Sequence, residues 1–363
     1  MNLYYASFIP GLQNIIADVI RERLSDVNIH KLLDGAVLFE TEKSYDKLNF
    51  FCFNNIFACI DIMEHSESQT SGGCETLEKH IRAVCNSAVN LYQIANNSKD
   101  IRSFRIVVSD ENTPVSIDEK LRLQAELFLS RHSGLKVNRS LPDTEFWFLY
   151  RKEDGAKTSE CNTSQDFSIF MKRLTLRPSW EKTLHKGELP PPLAWTLCRL
   201  VNLVHTDTVL DPFCGYGSIP DAAMKHFHIT KFIACDNNTE SASYTASRFK
   251  KRKTGDLVLH TCDFNALPSL IAEKSIDVII TDPPWGNFKK HNDNSFPEKM
   301  FNILSKLLKD GGTCSECSRA RAVMLYANDE NFLKAVPVDF EVQESIPILL
   351  SGKKAVILVL KKL

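Results

Sequence analysis

A series of short β-branched runs in the second half, each closed by an acid, constrains this chain more than any other feature. Thr208-Val209-Leu210 leads into Asp211-Pro212-Phe213-Cys214-Gly215-Tyr216-Gly217-Ser218 and then a helix-like stretch from Ile219 to Phe227. Strand, glycine turn and helix is the arrangement by which a doubly wound sheet brings backbone N–H groups close to a phosphate or nucleoside. A second run, Lys231 to Cys235, ends on Asp236, and an acid at that strand end suits a ribose diol. Leu257-Val258-Leu259-His260 carries Asp263 just past its end, and Ile276-Asp277-Val278-Ile279-Ile280 ends in Thr281-Asp282-Pro283-Pro284-Trp285-Gly286. The carboxyl ends of parallel strands form one rim, which is where open α/β sheets bind ligands. A doubly wound α/β fold is expected for this half.

The last of these strand ends has unusual chemistry. Pro283 and Pro284 lock their own φ angles and push the preceding residues toward extended geometry. Asp282 therefore projects from stiff backbone, beside proline carbonyls with no neighbouring N–H and next to the ring of Trp285. Rigid acceptors beside a flat ring can grip an amino group on a planar heterocycle. The bland alternative is a proline-rich strand exit with a packed tryptophan.

With these motifs in order, the second half resembles the class I S-adenosylmethionine-dependent methyltransferases, and among them those that methylate exocyclic amines. The family's cofactor loop matches Asp211 to Gly217, which puts Asp211, Phe213, Cys214, Gly215 and Gly217 at the cofactor. Its ribose-binding acid matches Asp236, followed by Asn237, and its adenine-contacting acid matches Asp263, beside Phe264. Its Asp-Pro-Pro-aromatic motif matches Asp282 to Trp285, so Asp282, Pro283 and Trp285 are the implied catalytic residues. Glu188 and Leu189, ahead of Pro190-Pro191-Pro192, match the stretch that lies over the methionine part of the cofactor; a solvated residue before a proline stop is the plainer account of Glu188. Cys214 and Tyr216 depart from the smaller or more polar residues common at those positions.

At 363 residues the chain suggests two or three domains, and 43% hydrophobic with 25% charged residues is ordinary for a protein with sizeable cores. Net charge is −1, so any nucleic-acid contact must come from a local patch. Two candidates are Lys250-Lys251-Arg252-Lys253 and the looser set Lys172-Arg173, Arg177, Lys182, His185 and Lys186. Eleven cysteines in no repeated spacing read as reduced thiols, hence a cytoplasmic protein. Cys314-Ser315-Glu316-Cys317 lacks a second ligand pair, so no metal is expected. No signal peptide and no membrane-length apolar run are apparent.

The first half reads as α+β. Leu3 to Phe8, a helix repeating from Leu12 to Leu24, and Ala36 to Phe39 open it; a segment from Tyr45 to Met63 is apolar core. A helix-like stretch from Leu77 to Ala95, a strand from Ser103 to Val108 and a leucine-rich helix follow, then two extended pieces around Pro142-Asp143. This order resembles a ferredoxin-like unit followed by a THUMP domain, a module that captures the acceptor end of tRNA. The pieces that carry it are Pro10-Gly11-Leu12, Gly35-Ala36-Val37-Leu38-Phe39, Phe104-Arg105-Ile106, Gly134-Leu135-Lys136-Val137 and Leu141-Pro142-Asp143. Arg105, Lys136 and Arg139 are then expected to be available to phosphates. The expected division is a ferredoxin-like domain over 1–65, a THUMP-like RNA-binding domain over 66–150, a linker over 151–180 and the methyltransferase domain over 181–363. The combination implies formation of N2-methylguanosine in tRNA or another structured RNA, in some relatives with a small adaptor protein. A DNA amino-methylase acting on adenine N6 or cytosine N4, and a non-catalytic RNA-binding protein, are the alternatives.

Overall fold

The computed structural model describes residues 1–65, 73–87, 91, 101–152, 165–175, 184–250, 255–284, 295–310, 320–327 and 330–363. Two compact units divide the chain: Met1–Phe8 with Gln13–Pro178, and Ile9–Leu12 with Ser179–Leu363.

The first unit is built on one nine-stranded sheet. Its elements are β1 (Asn2–Ser7), α1 (Gln13–Arg23), β2 (Asn28–Leu33), β3 (Ala36–Thr41), β4 (Asn55–His65), α2 (Gly73–Cys85), β5 (Ser103–Asp110), β6 (Thr113–Pro114), α3 (Glu119–Ser133), β7 (Lys136–Val137), β8 (Thr144–Arg151) and β9 (Asp166–Arg173). The strand order is β2-β3-β1-β4-β9-β8-β5-β6, with β7 beside β5. The helices pack an apolar face of Leu77, Ile81, Leu121, Ala125 and Leu129 against Phe104, Phe146 and Phe148. Asp118 starts α3 by accepting from the Leu121 amide at 3.0 Å, and Gly134, at φ 74°, ends it in the left-handed region.

The segment 151–180, expected as linker, contains β9, which pairs with β4 on one side and β8 on the other. Phe167, Ile169, Phe170 and Met171 are all buried, so this strand is covered on both faces. The charged, Ser/Thr-rich composition just before it concealed a strand that joins the expected 1–65 and 66–150 pieces into one sheet. Lys172 and Arg173 are consequently core residues, 1% and 7% exposed, and not part of a surface cluster.

The second unit follows the doubly wound plan. Its elements are α4 (Pro191–Leu200), β10 (Thr208–Asp211), α5 (Ser218–His226), β11 (Lys231–Asp236), α6 (Thr239–Phe249), β12 (Asp256–Thr261), the short α7 (Leu267–Leu270), β13 (Val278–Thr281), α8 (Phe296–Leu307), β14 (Arg321–Ala327), α9 (Glu330–Lys334), β15 (Phe340–Leu350) and β16 (Lys353–Lys362). The order β12-β11-β10-β13-β14-β16-β15 is parallel through β14, and β16 runs antiparallel to both its neighbours. The chain winds outward from β10 to β12 and then returns to the other side of β10 with β13. That reversal places the topological switch point between β10 and β13, the position at which open α/β sheets bind ligands. Val209, Leu210, Val278, Ile279 and Ile280 are 0% exposed, as central parallel strands covered on both faces require.

Candidate active site

The rim of the second sheet gathers the acids the sequence singled out. Asp211 ends β10, Asp236 ends β11, Asp263 follows β12 and Asp282 follows β13. The Thr281 hydroxyl donates to Asp211 Oδ1 at 2.9 Å, a bond that spans the switch point. The Phe213 amide donates to the same oxygen at 3.1 Å. Asp211 is 0% exposed, and its Oδ2 is buried without a hydrogen-bond partner among the described residues. Burial pushes its carboxyl up to about 8; the Thr281 and Phe213 donors oppose the rise, and the nearby Asp282 and Asp236 add to it.

The glycine loop is wired to the next strand end. The Gly215 amide donates to Asp236 Oδ2 at 2.8 Å, while Oδ1 accepts from the Asn238 amide at 2.8 Å and the Ser241 hydroxyl at 3.1 Å. The Cys214 amide donates to the Cys235 carbonyl at 2.8 Å, fixing the loop over β11. Gly217 lies at φ 82°, and a Cβ there would stand 2.9 Å from the Thr245 side chain. A Cβ on Gly215, by contrast, would meet nothing within 4 Å. The loop therefore presents open space on one side and a tight contact with α6 on the other. Cys214 is buried, and that burial pushes its thiol far above the ordinary range.

Asp263 caps the turn after β12, accepting on Oδ1 from the Asn265 amide at 2.9 Å. Phe264 is 9% exposed and packs with Phe213 at 5.4 Å and Phe296 at 5.2 Å between ring centroids, forming an apolar wall beside it. Asn237 is exposed at the start of the turn into α6. Asp282 is half-buried, Pro283 buried and Pro284 exposed. Trp285 lies outside the described residues.

Glu188 is not a solvated residue. Its side chain is 6% exposed; Oε2 accepts from the His185 amide at 3.1 Å, and Oε1 accepts from the Ser218 hydroxyl at 3.2 Å and from Arg248 Nη1 at 3.1 Å. Arg248 also donates to the Tyr216 carbonyl at 3.1 Å and pairs with Asp221 at 3.3 Å. Glu188 thus ties the segment before α4 to the glycine loop and to α6, while Leu189 is buried beneath. His185 stacks on Tyr216 with ring centroids 4.0 Å apart, closing the same side of the loop.

Sequence reading missed Thr281, Ser241, Thr245 and Arg248. The last three recur at i, i+4 and i+7, one polar face of α6 turned to the loop, and that period was the available signal. Thr281 carried none beyond standing next to Asp282. In the first unit, two residues expected to meet phosphates are engaged internally. Arg105 pairs with Glu145, and Arg139 donates to Glu126 at 2.9 and 2.8 Å and to Glu119 at 3.0 Å. Lys136 is exposed. Of the looser basic set, Arg177 and Lys182 lie outside the described residues, as do Lys251, Arg252, Lys253 and the Cys314–Cys317 pair.

Residues 178–344 match the family model of the RMKL-like methyltransferase domain. The chain is 30% identical over 206 residues to the tRNA (guanine(10)-N2)-dimethyltransferase of Methanocaldococcus jannaschii, covering 54% of this chain and 56% of that protein. It is also 30% identical over 125 residues to a protein of Methanothermococcus thermolithotrophicus named "Probable tRNA (guanine(10)-N2)-dimethyltransferase", covering 33% of this chain and 75% of that one. It spans about half the length of the first of these relatives. Among solved structures, TrmN from Thermus thermophilus superposes with a TM-score of 0.76 over 100% of both chains at 19% identity, a likeness of fold.

Proposed function

The chain belongs to the tRNA guanine-N2 methyltransferase family, and from that membership we propose that it transfers a methyl group from S-adenosylmethionine to the exocyclic amine of a guanosine in tRNA. The observation that carries this reading is the rim itself: a glycine loop and a rigid Asp-Pro-Pro exit stand at the switch point between β10 and β13, with two acids, Asp236 and Asp263, along the adjoining strand ends. The residues fit the cofactor. Gly215 leaves open space above the loop, and Asp211 Oδ2 is a buried polar atom without a partner among the described residues.

Bound there, S-adenosylmethionine supplies an electrophilic methyl group on a sulfonium. The half-buried Asp236, fixed by Gly215, Asn238 and Ser241, would receive the ribose hydroxyls. Asp263 and the Phe264 ring would hold the adenine edge and face. Asp282 and the Pro283 carbonyl would accept the two N–H bonds of the target amine. That arrangement draws the nitrogen lone pair out of conjugation and aims it along the line of attack, and the carboxylate offsets the positive charge that builds on nitrogen. Trp285 would stack on the base, a contact worth about 1–3 kcal/mol. A base within a helix must first be extruded, at a cost of a few kcal/mol.

The first unit would capture the RNA, with 1–65 acting as a ferredoxin-like part and 66–150 as a THUMP-like part of one continuous sheet. Lys136 supports this reading as an exposed cation; Arg105 and Arg139 do not. A small adaptor protein is a second proposed partner, supported by the edge strand β12, where Val258 is 41% exposed. A cytoplasmic setting accords with the eight described cysteines, all free thiols. Incubating the protein with labelled S-adenosylmethionine and tRNA lacking the modification, followed by nucleoside analysis, tests the reading. Label in N2-methylguanosine is expected; label in N6-methyladenosine alone would remove guanine as the target.

A further inference from the structure

Asp211 sits where a carboxylate has little to hold it ionised. It is 0% exposed on the central strand, and both of its hydrogen-bond donors, Thr281 and Phe213, converge on one oxygen. Among the described residues, the ionisable groups facing it are neutral or acidic: Asp236 from the end of β11, Asp282 from the end of β13, the Cys214 thiol from the glycine loop and the Cys198 thiol from α4. Among the described residues no cation reaches it, since Arg248, the guanidinium of this loop, is shared by Glu188 and Asp221. An uncompensated buried charge costs several kcal/mol, and such a group takes up a proton instead.

The cofactor proposed for this site carries two cationic centres, an ammonium and a sulfonium, and it would enter directly over the loop that covers Asp211. We propose that Asp211 is held as the neutral acid in the free protein and gives up its proton to solvent when the cofactor's cation arrives, so that cofactor binding is coupled to proton release. The carboxyl O–H bond breaks, the proton passes to buffer, and the carboxylate left behind is compensated by the ligand's positive charge. Burial together with two acidic neighbours supports this direction, with the free-state carboxyl pushed up to about 8. Asp211 is thereby a proton-linked sensor of cofactor charge and not a fixed anion. The inference rests on the cofactor assignment made above.

Calorimetry at pH 6.5, below the ordinary α-amino range, tests it with S-adenosylmethionine titrated into the full chain in three buffers of different ionisation enthalpy. Release of at least about half a proton per cofactor is expected in the parent, and close to none in Asp211→Asn, which keeps the shape and removes the titration. S-adenosylhomocysteine, which keeps the ammonium and lacks the sulfonium, identifies which cation is felt. Buffer-independent binding enthalpy in the parent, or equal release in Asp211→Asn, would overturn the inference and leave the cofactor assignment standing. No binding of either compound would overturn both. Should the variant fail to fold, the parent alone decides: affinity should tighten several-fold from pH 6 to pH 7 if a proton is lost, and a flat profile contradicts it.

Discussion

Glu145 in the first unit and Asp211 in the second are both buried carboxylates on sheet strands, 3% and 0% exposed, and their surroundings differ in kind. Glu145 faces Arg105, Arg173 at 3.2 Å and the Trp147 indole N–H at 2.9 Å. Burial works against its charge, but the indole and the two guanidiniums outweigh burial and hold its carboxyl below the usual range. Among the described residues, Asp211 has a hydroxyl and an amide for donors, and acids for neighbours. Glu145 is a staple, complete within the protein. Among the described residues Asp211 Oδ2 has no partner, and the partner proposed for it is a cation from outside. Charge satisfied internally marks architecture, and charge left open on a rim marks a ligand site.

The staple carries the largest expected effect. Glu145→Ala leaves two guanidiniums facing an empty site, Arg173 among them buried, and should cost about 3–5 kcal/mol of stability in urea titrations. Its affinity for S-adenosylmethionine should stay unchanged; a stability loss below about 1 kcal/mol would show the network to be peripheral. On the rim, Asp236→Ala removes the acceptor for Gly215, Asn238, Ser241 and the proposed ribose contact. Cofactor affinity should fall by about 1.5–3 kcal/mol, measured calorimetrically. Equal affinity would refute the ribose assignment.

The third effect depends on pH. Asp211 has a folded value raised to about 8, so the folded state holds a proton that the unfolded chain has already lost above about pH 4. Its contribution to stability is fully present below about pH 4 and is lost as pH rises toward the folded value. Thermal melts of ligand-free protein should show Asp211→Asn gaining on the parent from pH 5 to pH 8; parallel curves would contradict the neutral acid. The smallest effect concerns RNA. Arg139→Ala should leave tRNA affinity within about twofold, because that guanidinium is already engaged by Glu126 and Glu119, whereas Lys136→Ala should weaken binding and reduce its salt dependence by about one contact. A larger loss for Arg139 than for Lys136 would reverse the assignment.

The rim was legible because its signals are local. Strand ends, glycines, prolines and acids stand next to one another in sequence, and a parallel sheet converts their order into one edge. What escaped depended on pairing across distance. β9 was hidden since a strand covered on both faces has no alternation to display, and its neighbourhood is charged. β15 was missed because its edge position leaves Glu341, Val342, Gln343, Glu344 and Ser345 exposed and polar in pattern. Arg105 and Arg139 looked like phosphate ligands because a sequence does not say which carboxylates lie opposite. The Thr281–Asp211 bond, joining residues 70 apart, could only be seen once β10 and β13 were placed side by side.

We propose that this rim divides its work, with Asp211, Asp236 and Asp263 toward the cofactor and Asp282 toward the amine. Asp282→Ala tests it most directly, by measuring cofactor binding and methyl transfer to tRNA on the same preparation. Affinity for S-adenosylmethionine is expected to stay within about twofold of the parent, and the transfer rate to fall by about 10²–10³ or more. Turnover at the parental rate, or loss of cofactor binding in step with turnover, would contradict it.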